Sequence, residues 1–392
     1  MPFDALFVPD SIREAVSGRA WLEAMLEAER ALAVAEAHAG VIPTDASAEI
    51  SKACDATHFD FEEIAAAGRP AANPVEPLVR ALRDAVGGDA ARYVHWGATS
   101  QDVLDTASML VARRSLGLIR AELDAVAAAC ARLAEDQRGT VMAARTLLQQ
   151  AVPTTFGLKA AFWLVGVVES RARLAAVRLA AQLGGAAGTL AALGEKGPEV
   201  LKLFANELGL AEPAVPWHTV RVRIGELGGA LDLAAGACAK IALDVTLLAQ
   251  TEVAEVSTGD DGRSSTMPHK RNAASAVLAL ACARQAHAHA GVLTASLVQE
   301  HERAAGAWQA EWQSLSGALA YAGGAAAATR TTLEALRVDE DRMRQNVREE
   351  TLSEQAAFRS DGVGQVREPS DYLGSASQFV DRALELYRRE LG

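Results

Sequence analysis

The stretch LGGALDLAAGACAKIALDVTLL, residues 227–248, decides the fold. Asp232, Lys240 and Asp244 are its only charges, and they sit among small and aliphatic residues. A helix that is apolar on nearly every side must be surrounded by other helices. The helical pattern extends over 221–256, about 50 Å at 1.5 Å per residue. Its glycines and alanines let neighbouring helices approach closely.

Working outward, apolar residues recur at spacings of three and four over 11–39, 106–137, 155–183, 273–299 and 305–336. Gly40, Gly139 and the Gly184-Gly185 pair close the first three of these segments. Few stretches alternate with period two, so strands are scarce. The expectation is an all-α protein in three regions: an N-terminal helical domain over 1–97, a central long-helix bundle over 98–338 and a short C-terminal tail over 339–392. So many apolar faces point to a homo-oligomer; a monomeric bundle is the other reading.

The 392-residue chain is 50% hydrophobic, enough for a large core, and its net charge of −12 offers no basic surface for nucleic acid. No apolar run is long enough to span a bilayer. Residues 1–10 lack the basic and apolar segments of a signal peptide, so a cytoplasmic protein with no membrane partner is expected. Cys54, Cys130, Cys238 and Cys282 are scattered without a C-x-x-C pair and read as small buried hydrophobes of a reducing compartment.

Polar chemistry interrupts the helices at a few places. The run Gly262-Arg263-Ser264-Ser265-Thr266-Met267-Pro268-His269-Lys270-Arg271-Asn272 lies between two alanine-rich helical segments. Vicinal hydroxyls, a cation and an amide before a helix N-terminus suit a carboxylate, or a carbanion delocalised into one. His95-Trp96-Gly97-Ala98-Thr99-Ser100-Gln101-Asp102 precedes another helix; Thr99 or Ser100 either caps it or holds a carboxylate. Thr146, Gln149 and Gln150 are hydrogen-bonding groups ahead of Pro153, while Thr154 and Thr155 read as caps. Glu252, which lies with Glu255 at the end of the apolar helix, is either solvated or orients a catalytic partner. His301 and Arg303 open the segment 301–312, as a helix-end cation pair or a carboxylate clamp. No H-E-x-x-H, Cys/His cluster, P-loop, G-x-G-x-x-G or G-x-S-x-G occurs, so neither metal nor cofactor is expected and Ser264 has no acyl-transfer context.

Together these segments resemble the fumarase/aspartase superfamily, whose G-S-S-x-x-P-x-K-x-N loop reads here as 263–272, with Arg263 in place of Gly and Ala273 in place of the following Pro. The wording of 95–102, of 301–312 and of Tyr372-Leu373-Gly374-Ser375-Ala376 resembles the branch that lactonises 3-carboxy-cis,cis-muconate in protocatechuate breakdown. That branch commonly has Trp where Leu147 stands. The resemblance covers 7–336 plus the tail, and a shortened C-terminal region.

The resemblance implies a homotetramer whose sites draw on three chains. It implies Ser264 as the proton-transfer residue, with Lys270 and Asn272 neutralising charge, and Ser265 and Met267 as further loop contacts with the substrate. Thr99, Ser100 and Gln101 would hold one carboxylate of a small polycarboxylate, Thr146, Gln149 and Gln150 another, and His301 and Arg303 a third. His95 is the leading imidazole for catalysis, with a structural role beside Trp96 as the alternative. Two other functions compete: a β-eliminating lyase of the superfamily that releases fumarate from a substituted succinate, and a non-catalytic helical scaffold.

Overall fold

The computed structural model describes residues 3–259, 262–263, 267, 271–354 and 368–392. The N-terminal part comprises α1 (Asp4–Phe7), α2 (Asp10–Ala15), α3 (Gly18–His38), α4 (Thr44–Ala53), α5 (Phe61–Ala67) and α6 (Val75–Val86). The helix expected over 11–39 is therefore two helices. Ser17 turns extended and caps α3, its hydroxyl accepting from the Ala20 N–H at 3.2 Å.

The body follows with α7 (Ser100–Asp136), strands β1 (Val141–Thr146) and β2 (Gln149–Thr155), then α8 (Phe156–Ala176), α9 (Gly197–Leu208) and α10 (Val222–Leu248). After α10 come β3 (Val256–Thr258), β4 (Gly262–Arg263), β5 (Arg271–Asn272), α11 (Ala274–Ala295) and α12 (Ala307–Glu334). The chain closes with β6 (Leu336–Val338), α13 (Glu340–Asn346) and α14 (Ala376–Leu391). Helices α7, α10 and α12 run one way and α8 and α11 return, so the bundle has an upper end holding Ser100 and a lower end holding the strands.

Several sequence boundaries shift for local reasons. The α8 helix stops at Ala176 because the chain beyond it is stitched out straight. The Gln182 N–H donates to Thr106 Oγ1 at 2.9 Å, Gln182 Oε1 accepts from the Trp217 N–H at 2.9 Å, and the Ala181 N–H donates to the Ala211 carbonyl at 3.0 Å. The end of the predicted 221–256 helix is instead β3, paired antiparallel with β6. Residues 141–155 form a β-hairpin, with Val141 opposite Thr155 and Thr146 opposite Gln149.

One apolar cluster runs from Trp21 in α3 through α7, α8, α10, α11 and α12 to Leu384 in α14. The alanine-rich contact faces bury Ala234, Ala235, Cys238 and Ala242 completely or nearly so. Helix α14 seals the side of α7 and α8 with Val380, Ala383 and Leu384, and Arg138 ties its start through Asp381 at 2.7 Å. Outward faces of the bundle keep large apolar side chains in solvent: Phe162 on α8, Leu233 and Leu243 on α10, Val277 and Val292 on α11. Among the described residues no helix is long and apolar enough to cross a membrane.

Candidate functional site

At the upper end, α7 starts where the backbone leaves the loop 94–99. Asp102, in its first turn, is buried and accepts from four groups. Its Oδ2 takes the N–H groups of Thr99 (3.0 Å) and Gly185 (2.9 Å), and its Oδ1 takes the Gly184 N–H (2.9 Å) and His218 Nε2 (2.7 Å). The loop is thereby clamped onto residues 184–185. Gly97 is required there: its φ is +68°, and a Cβ would come within 2.8 Å of Leu193.

Gln101 is completely buried, and its amide is committed within the chain. Its Nε2 donates to the His218 carbonyl (2.8 Å) and Asp105 Oδ2 (3.1 Å), while its Oε1 accepts from Arg303 Nη1 (3.0 Å). Arg303 Nη2 donates to the Ala186 carbonyl at 2.9 Å, so this guanidinium fastens three segments together. His301 is exposed, at φ +45°, and its carbonyl accepts from Thr219 Oγ1 at 2.9 Å. Thr99 and Ser100 are half-buried at the mouth of α7, where Thr99 caps the helix in a capping box with Asp102 and the helix dipole favours an anion.

His95 lies four residues ahead of that mouth. Its Nδ1 is 2.6 Å from Glu29 Oε1 on α3, and its φ is +62°. Burial by itself would pull the imidazole down; the Glu29 charge and hydrogen bond, together with Asp102, carry it above its ordinary value, against Arg83.

Beneath this end a buried ionic network holds the helices in register. Arg221 pairs with both oxygens of Asp105 at 2.7 and 3.0 Å and with both oxygens of Glu311. Trp308 Nε1 also donates to Asp105 at 3.0 Å, and Gln299 Nε2 to Glu311 at 2.9 Å. One cation serves two carboxylates; burial raises the Glu311 carboxyl more than Arg221 lowers it.

The lower end carries the other group of residues. Thr146 and Gln149 flank a two-residue turn in which Leu147 and Leu148 take φ of +50° and +66° and are 97% and 77% exposed. Gln150 turns back into its own chain, with Nε2 donating to the Asn346 carbonyl at 2.8 Å. Glu252, the acid left open by the sequence, is exposed, whereas its neighbour Glu255 is fully buried and holds Arg145 at 2.6 Å and Asn346 Nδ2 at 2.9 Å. The polar loop after β3 is pinned at its base, Gly262 opposite Asn272 and Arg263 opposite Arg271. Met267 and Asn272 are exposed; Ser264, Ser265 and Lys270 lie outside the described residues.

The candidate residues thus fall into two groups separated by the length of the bundle. Helix α7 alone, with 37 residues, spans about 55 Å. His95, Thr99, Ser100, Gln101, His301 and Arg303 share the upper end; Thr146, Gln149, Gln150 and the short strands β4 and β5 share the lower. Among the described residues no cluster of metal-ligating side chains occurs. The four cysteines are unpaired, and burial pushes the Cys238 and Cys282 thiols up to about 12, which leaves them unreactive. Sequence reading passed over Glu29, Asp105, Arg221 and Glu311, because charges scattered over distant segments carry no local pattern.

Comparison with known proteins agrees with this architecture. Residues 8–288 match the family described as Lyase. A 3-carboxy-cis,cis-muconate cycloisomerase from Bradyrhizobium diazoefficiens is 48% identical, over 86% of this chain and 77% of that protein. A nitrosuccinate lyase from Streptomyces davaonensis is also 48% identical, over 86% of this chain and 74% of that protein. The crystal structure of the 3-carboxy-cis,cis-muconate lactonizing enzyme from Pseudomonas putida superposes with a TM-score of 0.90 at 35% identity, covering 100% of this chain and 99% of that one. The chain is an all-α member of the lyase family within the fumarase/aspartase superfamily.

Proposed function

We propose that this enzyme closes 3-carboxy-cis,cis-muconate into its lactone, 4-carboxymuconolactone, a step of protocatechuate breakdown. The observation that carries the reading is the whole-chain match to the Pseudomonas putida lactonizing enzyme, together with the equally extensive sequence match to a cycloisomerase. One carboxylate of the substrate attacks a double-bond carbon, and the electron pair moves into another carboxylate to give an enediolate. That intermediate then takes a proton at carbon. Donors that grip the enediolate more tightly than the ground state lower the barrier.

Ser264 is assigned the proton transfer, with its hydroxyl made acidic enough by Lys270, loop N–H groups and the dipole of the following helix. Asn272 shares the neutralisation of charge, and Ser265 and Met267 are further loop contacts with the substrate. Thr99 and Ser100 hold one carboxylate at the mouth of α7, and Thr146 and Gln149 another. His95 supplies an imidazole. Gln101, Gln150 and Arg303, whose polar atoms are engaged by the chain itself, act by holding these contacts in place.

A site built from both groups requires copies of the chain lying antiparallel, so that the upper end of one meets the lower end of another. The exposed apolar residues Phe162, Leu233, Leu243, Val277 and Val292 support such packing, and we assign a homotetramer with shared sites. The 48% identity to a nitrosuccinate lyase supports a second reading, β-elimination from a substituted succinate through the same kind of intermediate. Parallel assays decide. Loss of diene absorbance on 3-carboxy-cis,cis-muconate supports the cycloisomerase; elimination from nitrosuccinate with the muconate untouched overturns it.

A further inference from the structure

Glu29 is an unusual residue to find inside α3. Its side chain is fully enclosed, and its partner His95 is 13% exposed. Oε1 meets His95 Nδ1 at 2.6 Å, while Oε2 has no hydrogen-bond partner among the described residues. A buried carboxylate compensated through one oxygen is a poor stability device, because desolvation outweighs a single contact. The partner is strained as well: His95 sits in the left-handed region at φ +62°, which costs a non-glycine residue about 1 kcal/mol or more. The loop is held there from both sides, by Arg83 Nη2 on the Val94 carbonyl at 3.1 Å and by the close fit of Gly97. A strained residue gripped by an under-compensated acid marks a position kept for something other than stability.

We infer that Glu29 is a positioning residue for His95: it turns Nδ1 into the protein and leaves Nε2 as the one ring nitrogen free to meet a substrate carboxylate at the mouth of α7. The inference rests on the reading of His95 as a site residue. Glu36, also on α3, has neither oxygen partnered among the described residues, and burial and Glu29 push its carboxyl up to about 9, so it is neutral near pH 7. Cys54, which also faces Glu29, has its thiol pushed up to about 12 by burial. The charged groups acting on His95 are Glu29 and Asp102, which favour the imidazolium, and Arg83, which opposes it. Glu29 thus fixes the tautomer, the aim and the charge of the ring.

The test is Glu29→Gln, read in three ways on 3-carboxy-cis,cis-muconate and by nitrogen-15 NMR of the histidine rings. The expected results are a fall in kcat/KM of about tenfold or more, carried mainly by KM; an alkaline limb of the pH profile moved to lower pH; and a lower titration midpoint for His95. Glu29→Asp, which keeps the charge but shortens its reach, should restore part of each, and it provides the same readouts should the glutamine variant not fold. In a His95→Asn background Glu29→Gln should cost nothing further. An unmoved His95 midpoint and pH profile, or a full additional loss in that background, overturns the inference. Full activity of His95→Asn alone would instead refute the site reading of His95, while the NMR midpoint would still decide whether Glu29 governs the ring.

Discussion

Arg145 and Glu255 form a two-pronged ion pair, Nη2 to Oε1 at 2.6 Å and Nη1 to Oε2 at 2.9 Å, which ties the turn end of the β1–β2 hairpin to the chain leaving α10. Asn346 donates to the same Oε1 at 2.9 Å and so brings α13 into the joint. Glu255→Ala strips a fully buried acceptor from a partly exposed guanidinium. The expected cost is about 3 kcal/mol, measured by urea denaturation, with the hairpin more open to proteolysis than the rest of the bundle. A loss below about 0.5 kcal/mol, the range of an ordinary surface change, would show that the joint is ornamental.

The turn at Leu147 and Leu148 places two bulky residues at positive φ, where Asn-Gly is the favoured pair. Leu147→Asn with Leu148→Gly should stabilise an isolated chain by about 1 kcal/mol or more by relieving that strain. It should also weaken the seat of the hairpin on another copy, seen as a lighter species in sedimentation at low concentration and a lower specific activity. A variant that gains thermal stability with unchanged mass and turnover would show that the two leucines meet nothing.

Glu36 provides a stability signature in pH. Its carboxyl is raised from an ordinary 4.5 to about 9, so across that interval the folded chain holds a proton that the unfolded chain has released. Stability from this group is complete below about 4.5 and declines as pH rises through about 9. Glu36→Gln removes the dependence. The variant should be the more stable by about 3 kcal/mol at pH 7, with the difference growing between pH 5 and 9. Parallel melting curves for the two proteins at every pH would contradict the assignment.

Ser264→Ala should lower turnover by several orders of magnitude and leave the melting temperature and helical content unchanged. Near-normal turnover would remove the hydroxyl from the proton-transfer role.

The fold was legible where apolar spacing was long and regular, as in α10, α11 and α12. It was obscured where side chains impose local structure. The hydroxyl of Ser17 breaks what reads as one helix, and Gln182 holds straight a stretch whose leucines and alanines read as helix. The β-hairpin was unreadable because its turn uses Leu147 and Leu148 in place of glycine or asparagine. For the site, the motif segments could be named but not their placement. Thr99 and Thr146 lie within fifty residues in sequence and at opposite ends of α7 in space. Glu29 was hidden for the opposite reason: in sequence it is one more acid on a charged helix, and only packing against His95 gives it meaning.

The length of α7 also acts as a ruler. Inserting or removing one turn along it would leave each tip folded as before, yet shift one tip by about 5.4 Å against whatever it must face. Under the proposed shared site, catalysis that draws on both tips is a collective property that dilution should extinguish, and the span of the rod is then under as much constraint as the chemistry at its ends.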